Sequence, residues 1–83
     1  MKKIYCRLYT ESGQTISEIL YIDDKPKYKD KGEDALIISK LEELAIRYSY
    51  IYGENIVKAT VGINNSYNIR STPNGTVEIT KEN

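Results

Sequence analysis

The chain has 83 residues, of which 12 are basic and 12 acidic, with no histidine, one cysteine, 40% hydrophobic and 29% charged side chains. That is enough for one domain of ordinary globular make-up, near the small end of what folds unaided. Zero formal charge argues against a strongly basic nucleic-acid binder and equally against an acidic nucleic-acid mimic, since both rely on a one-signed field.

Lys2 to Tyr9 alternates, with Ile4, Cys6 and Leu8 on one side and Lys3, Tyr5, Arg7 and Tyr9 on the other, which predicts a half-buried strand with a basic-aromatic outer face. Thr10 to Gln14 is a turn around Gly13. A second strand is expected over Thr15 to Ile22. It carries Ile16, Leu20 and Ile22 on one face and Ile19 and Tyr21 on the other, as a central strand would, or one with a bulge near Glu18. Asp23 to Lys31 is a charged, proline-interrupted loop, with room for a short edge strand around Lys27 to Lys29.

Glu33 to Tyr52 is the one long periodic segment. Ile37, Leu41, Leu44, Tyr48 and Ile51 recur at helical spacing, Asp30 and Glu33 form a capping box, and Gly53 supplies the stop. Ile56 to Ile63 follows as a strand with Val57, Ala59, Val61 and Ile63 inward and Lys58 and Thr60 outward. Tyr67 to Ser71 and Thr76 to Thr80, joined by the turn Thr72-Pro73-Asn74-Gly75, complete the chain. The expected fold is a single α+β domain of order β-β-α-β-β-β, a mostly antiparallel sheet of about five strands with the helix on one face.

Little in the sequence can carry catalysis. Without histidine the commonest general base and neutral metal ligand are gone, and one thiol cannot build a zinc site. Cys6 belongs to the inner row of its strand and reads as an inert core thiol in a reducing cytoplasm. Asp23-Asp24 and Glu42-Glu43 are adjacent pairs whose side chains diverge, so neither makes a carboxylate dyad. No phosphate-binding glycine loop or nucleophile-elbow motif is present, and no enzyme activity, cofactor or metal is expected. A hairpin, a helix carrying Glu43-Leu44-Ala45 and a strand ending near Asn64-Asn65-Ser66-Tyr67 resembles the front half of a ribonuclease H domain. That family needs acids where this chain has Glu11, Glu43 and Asn65; the last is not acidic and the further helices are missing, so no activity follows. Nothing approaches the ~20 apolar residues that span a bilayer, and no membrane partner is expected.

Two surfaces are candidates for binding. On the outer face of the helix, Ser39, Glu43, Ile46 and Tyr50 align opposite the core row, and an apolar pair on a polar face suits a protein contact. On the first strand, Lys3, Tyr5, Arg7 and Tyr9 alternate cations with rings that could stack bases, although Glu18, Asp23 and Asp24 nearby would dilute the field. The expectation is a non-catalytic protein-binding module, homodimeric through the helix in one version, of the kind phages and other mobile elements encode to inhibit a host defence protein. The alternative is a single-stranded nucleic-acid-binding module. A further alternative is a nucleotide or small-ligand sponge.

Overall fold

The computed structural model describes residues 2–22, 32–71, 75 and 77–82. Its elements are β1 (Lys2–Thr10), β2 (Thr15–Ile22), α1 (Gly32–Tyr52), β3 (Ile56–Val61), β4 (Asn65–Ser71) and β5 (Val77–Lys81). The strands form one sheet in the order β2-β1-β3-β4-β5, and every neighbouring pair is antiparallel. The α+β class and the β-β-α-β-β-β order are as the sequence predicts. The Asp23-Asp24 pair, the basic run of 25–31, the short edge strand expected around 27–29, the Asp30–Glu33 capping box and the turn residues 72–74 lie outside what is described.

Strand alternation sorts the side chains into two layers. Cys6 and Leu8 on β1, Ile16, Leu20 and Ile22 on β2, Ile56, Ala59 and Val61 on β3, and Tyr67 and Ile69 on β4 are buried against Ile37, Leu41, Leu44 and Ala45 of α1. Each fully buried Leu or Ile contributes about 1.5–3 kcal/mol. Ordering the backbone opposes this by about 1–2 kcal/mol per residue, so a core this small leaves little surplus. Among the described residues, no helix lies on the other face of the sheet.

Several expectations about strand placement and inward-facing residues are corrected. β2 is neither central nor bulged: it pairs with β1 at eight consecutive positions from Ile22 to Thr15 and lies at the edge of the sheet. Glu18 pairs with Cys6, so it shares the helix-facing side with Ile16 and Leu20 and does not lie beside Arg7. β3 shifts register between Ile56 and Lys58, which turns Ile56 into the core and leaves Val57 exposed. Ile63, expected inward, is 96% exposed in the turn after β3. Ile51 is exposed as well, lying beyond Ser49, where the buried row of α1 ends. Tyr67, which the sequence does not place in the core, is fully buried opposite Ala59.

Polar contacts tie the layers at their ends. Ser12, in the β1–β2 turn, donates through both its backbone N–H and its hydroxyl to the two carboxylate oxygens of Glu54, each at 2.9 Å. Asn55 donates from Nδ2 to Glu11 at 3.0 Å, and the Glu11 N–H donates to the Asn55 carbonyl at 2.9 Å. These four bonds clamp the hairpin turn to the exit of the helix. Across the sheet, Lys81 on β5 pairs with Asp34 in the first turns of α1 at 3.0 Å. Gly53, at φ 68°, donates to the Ser49 carbonyl and closes the helix in the left-handed conformation expected of it.

Candidate binding surfaces

The open face of the sheet is built by the residues that alternate outward. Register aligns Tyr21, Ile19, Ser17 and Thr15 of β2 with Lys3, Tyr5, Arg7 and Tyr9 of β1 in that order. On the other side of β1, Thr60 lies beside Arg7 and Lys58 beside Tyr9. Gly62 then donates its N–H to the Tyr5 carbonyl at 2.8 Å, bringing the β3–β4 turn against the strand. Its φ of 65° is a conformation that residues with a Cβ rarely adopt.

A shallow groove of about 790 Å³ runs over this region. It is lined by the outward residues Tyr5, Arg7, Ser17, Ile19, Tyr21 and Thr60 and by Gly62, and it also borders Cys6 and Glu18, which the register assigns to the helix side. Tyr5 is 67% exposed and Tyr21 52%, so both rings are available to a ligand rather than spent on packing. All four candidates Lys3, Tyr5, Arg7 and Tyr9 lie on this face, with Tyr9 half-buried.

Charge is sorted between the faces. Among the described residues, the outward positions of β2, β1 and β3 carry the cations Lys3, Arg7 and Lys58 and no carboxylate. Arg70 on β4 lies opposite Glu78 on β5 and is balanced by it. The acid expected to weaken the field, Glu18, is on the reverse side, where it accepts a hydrogen bond from the Tyr48 hydroxyl of α1. That bond raises the Tyr48 pKa above its ordinary value of 10.0, with desolvation adding to it. Cys6 lies under the same spot; burial, and secondarily the Glu18 charge, push its thiol up to about 11. An un-ionised, buried thiol is a poor nucleophile.

The outer helix face is also as placed by the sequence. Ser39, Glu43, Ile46 and Tyr50 are all exposed, Ile46 by 44% and Tyr50 by 77%. Ile51 and Tyr52 extend the exposed apolar surface into the last turn, and Tyr52 meets Tyr48 edge-on with ring centres 6.2 Å apart.

Sequence reasoning missed Ile19, Tyr21, Thr60 and Gly62 as groove residues. Their outward parity was readable, but nothing local says that β2 and β3 both flank β1. Among the described residues there is no cluster of three or more metal-ligating side chains and no helix long and apolar enough to cross a membrane. Compared with protein families, curated proteins and solved structures, the chain matches none of them.

Proposed function

We propose that this protein is a non-catalytic binding domain whose open sheet face takes an extended single-stranded nucleic acid. The observation that carries this reading is the groove on that face: exposed Tyr5 and Tyr21 beside Arg7, with Lys3 and Lys58 on the flanking outward positions; Glu18 also borders the groove, but its side chain is engaged by Tyr48 on the helix side. Bases stack on aromatic rings whatever their identity, and cations beside the rings neutralise phosphates. Same-face residues on a strand are about 6.8 Å apart, so Tyr5, Arg7 and Tyr9 offer ring, cation and ring in line along β1.

Anisotropy of a fluorescent oligothymidylate across a salt series tests this. Three phosphate contacts on a single strand give a slope of log affinity against log salt of about −2. Tyr5→Ala with Arg7→Ala is expected to abolish the signal while leaving the circular dichroism unchanged. Absence of binding at low salt in the wild-type protein refutes the reading.

A second reading rests on a different surface. The exposed Ile46 and Tyr50 pair, continued by Ile51, favours a protein partner on the back of the helix, as an inhibitor of a host defence protein would have. Capture of a partner by the wild-type chain but not by Tyr50→Glu supports it. Equal capture by both chains removes the helix from consideration.

A further inference from the structure

The two edges of the sheet are not alike, and the difference points to a partner. β5, at one edge, has five residues and carries Glu78 and Lys81, the latter held by Asp34. Short length and charge are the ordinary protections of an edge strand. β2, at the other, has eight residues, TISEILYI, paired to β1 without a bulge and with no proline, lysine or arginine. Its one charge, Glu18, is turned to the helix side and engaged by Tyr48. Among the described residues no strand lies beyond it.

We infer that β2 is a self-association edge, and that two copies of this chain pair through it antiparallel about a two-fold axis, joining their sheets into one. Such an interface is isologous, each residue i of one copy facing residue j of the other with j facing i. Directly opposed residues in an antiparallel pair share a face, so the axis must pass through a residue and not between two. An axis through Glu18 would set two carboxylates against each other on the helix side. An axis through Ile19 avoids this: Ile19 meets Ile19 of the second copy, Ser17 meets Tyr21, Glu18 meets Leu20, and Ile16 meets Ile22. The apolar residues of both faces then meet across the seam, and the open faces of the two copies become continuous. The inference does not depend on what, if anything, binds those faces.

Cross-strand Cα atoms are about 4.5–5.5 Å apart, within the roughly 4.4–6.8 Å a disulfide spans. Ile19→Cys therefore places two thiols opposite each other across the axis, whereas Ser17→Cys faces a tyrosine. The native Cys6 is buried and does not compete. Light scattering of the wild-type protein over a concentration series is expected to approach twice the 9.5 kDa chain mass, with β2 amides gaining hydrogen-exchange protection as the dimer forms. Under mild oxidation Ile19→Cys is expected to form a covalent dimer and Ser17→Cys to form little. A wild-type protein that stays monomeric at millimolar concentration overturns the inference. So does a dimer whose β2 amides gain no protection, one dispersed by Tyr50→Glu, or one in which Ser17→Cys cross-links as readily as Ile19→Cys.

Discussion

Glu18 is a carboxylate in a row of isoleucines and leucines, and the Tyr48 hydroxyl is what satisfies it. A buried or half-buried acid without a donor would cost more than the row gains from packing. The sequence alone offers a central strand or a bulge at this point, because Ile16, Leu20 and Ile22 share one face while Ile19 and Tyr21 lie on the other. The strand in fact runs straight, and the partner comes from a residue 30 positions away. No local pattern reveals such a bond. The neighbouring thiol gives a pH signature. Cys6 ionises near 9.0 when unperturbed and at about 11 in the fold, so the unfolded chain loses its proton first. Stability is full below pH 9 and falls as pH rises toward 11; Tyr48, also raised, adds a loss of the same sign above pH 10. Denaturant midpoints between pH 8 and pH 10 are expected to decline in the wild type and to decline less in Cys6→Ala, each compared with its own value at pH 8.

At the scale of elements, the helix was readable and the strand after it was only half so. Helical periodicity repeats within four residues, so Ile37, Leu41 and Leu44 declare their face without reference to anything else. β3 depends on its neighbours. The irregularity at Val57 involves both neighbours: Tyr9 and Thr10 of β1 pair with Lys58 and Ile56, skipping Val57, and the register with β4 shifts at the same place, so the roles of two adjacent aliphatic residues are exchanged. Ile56→Ala is accordingly expected to cost about 2–5 kcal/mol in chemical denaturation, the usual range for emptying a core site. Val57→Ala is expected to stay within about 0.5 kcal/mol, as exposed substitutions do. Comparable losses at both positions would contradict the bulge. Tyr67 was missed for a related reason: a tyrosine among polar residues on β4 reads as surface until Ala59 opposite it leaves room for the ring.

For the molecule as a whole, net neutrality conceals an arrangement. The described cations of the open face, Lys3, Arg7, Lys58 and Arg70, share it with no described acid but Glu78 on the far strand, while α1 exposes Asp34, Glu42 and Glu43 together with Lys40 and Arg47. Composition supplied the total and could not supply the sorting, which needs the strand order. The two layers are held in place at one end by Ser12 on Glu54, and this clamp has a pH dependence opposite to that of Cys6. The Ser12 backbone N–H, then its hydroxyl, hold the Glu54 carboxyl below its ordinary value of 4.5. The contribution is therefore present above pH 4.5 and lost as pH falls through the lowered value. Thermal scans from pH 6 to pH 3 are expected to show a smaller drop in Glu54→Gln than in the wild type; identical drops would mean the clamp is not formed in solution.

Cys6 has one more consequence. It is the chain's single thiol, it lies on the strand between β2 and β3, and it is almost fully covered. A thiol reagent can reach it only when the sheet opens, so the rate of its modification reports the population of open molecules. Anything that binds the native state lowers that population in proportion to 1 + [L]/Kd. The protein thus carries its own gauge of occupancy: an oligonucleotide on the open sheet, a protein on the back of α1 or a second copy at β2 would each slow the same reaction. Partners can be sought by that slowing before it is known which surface they use.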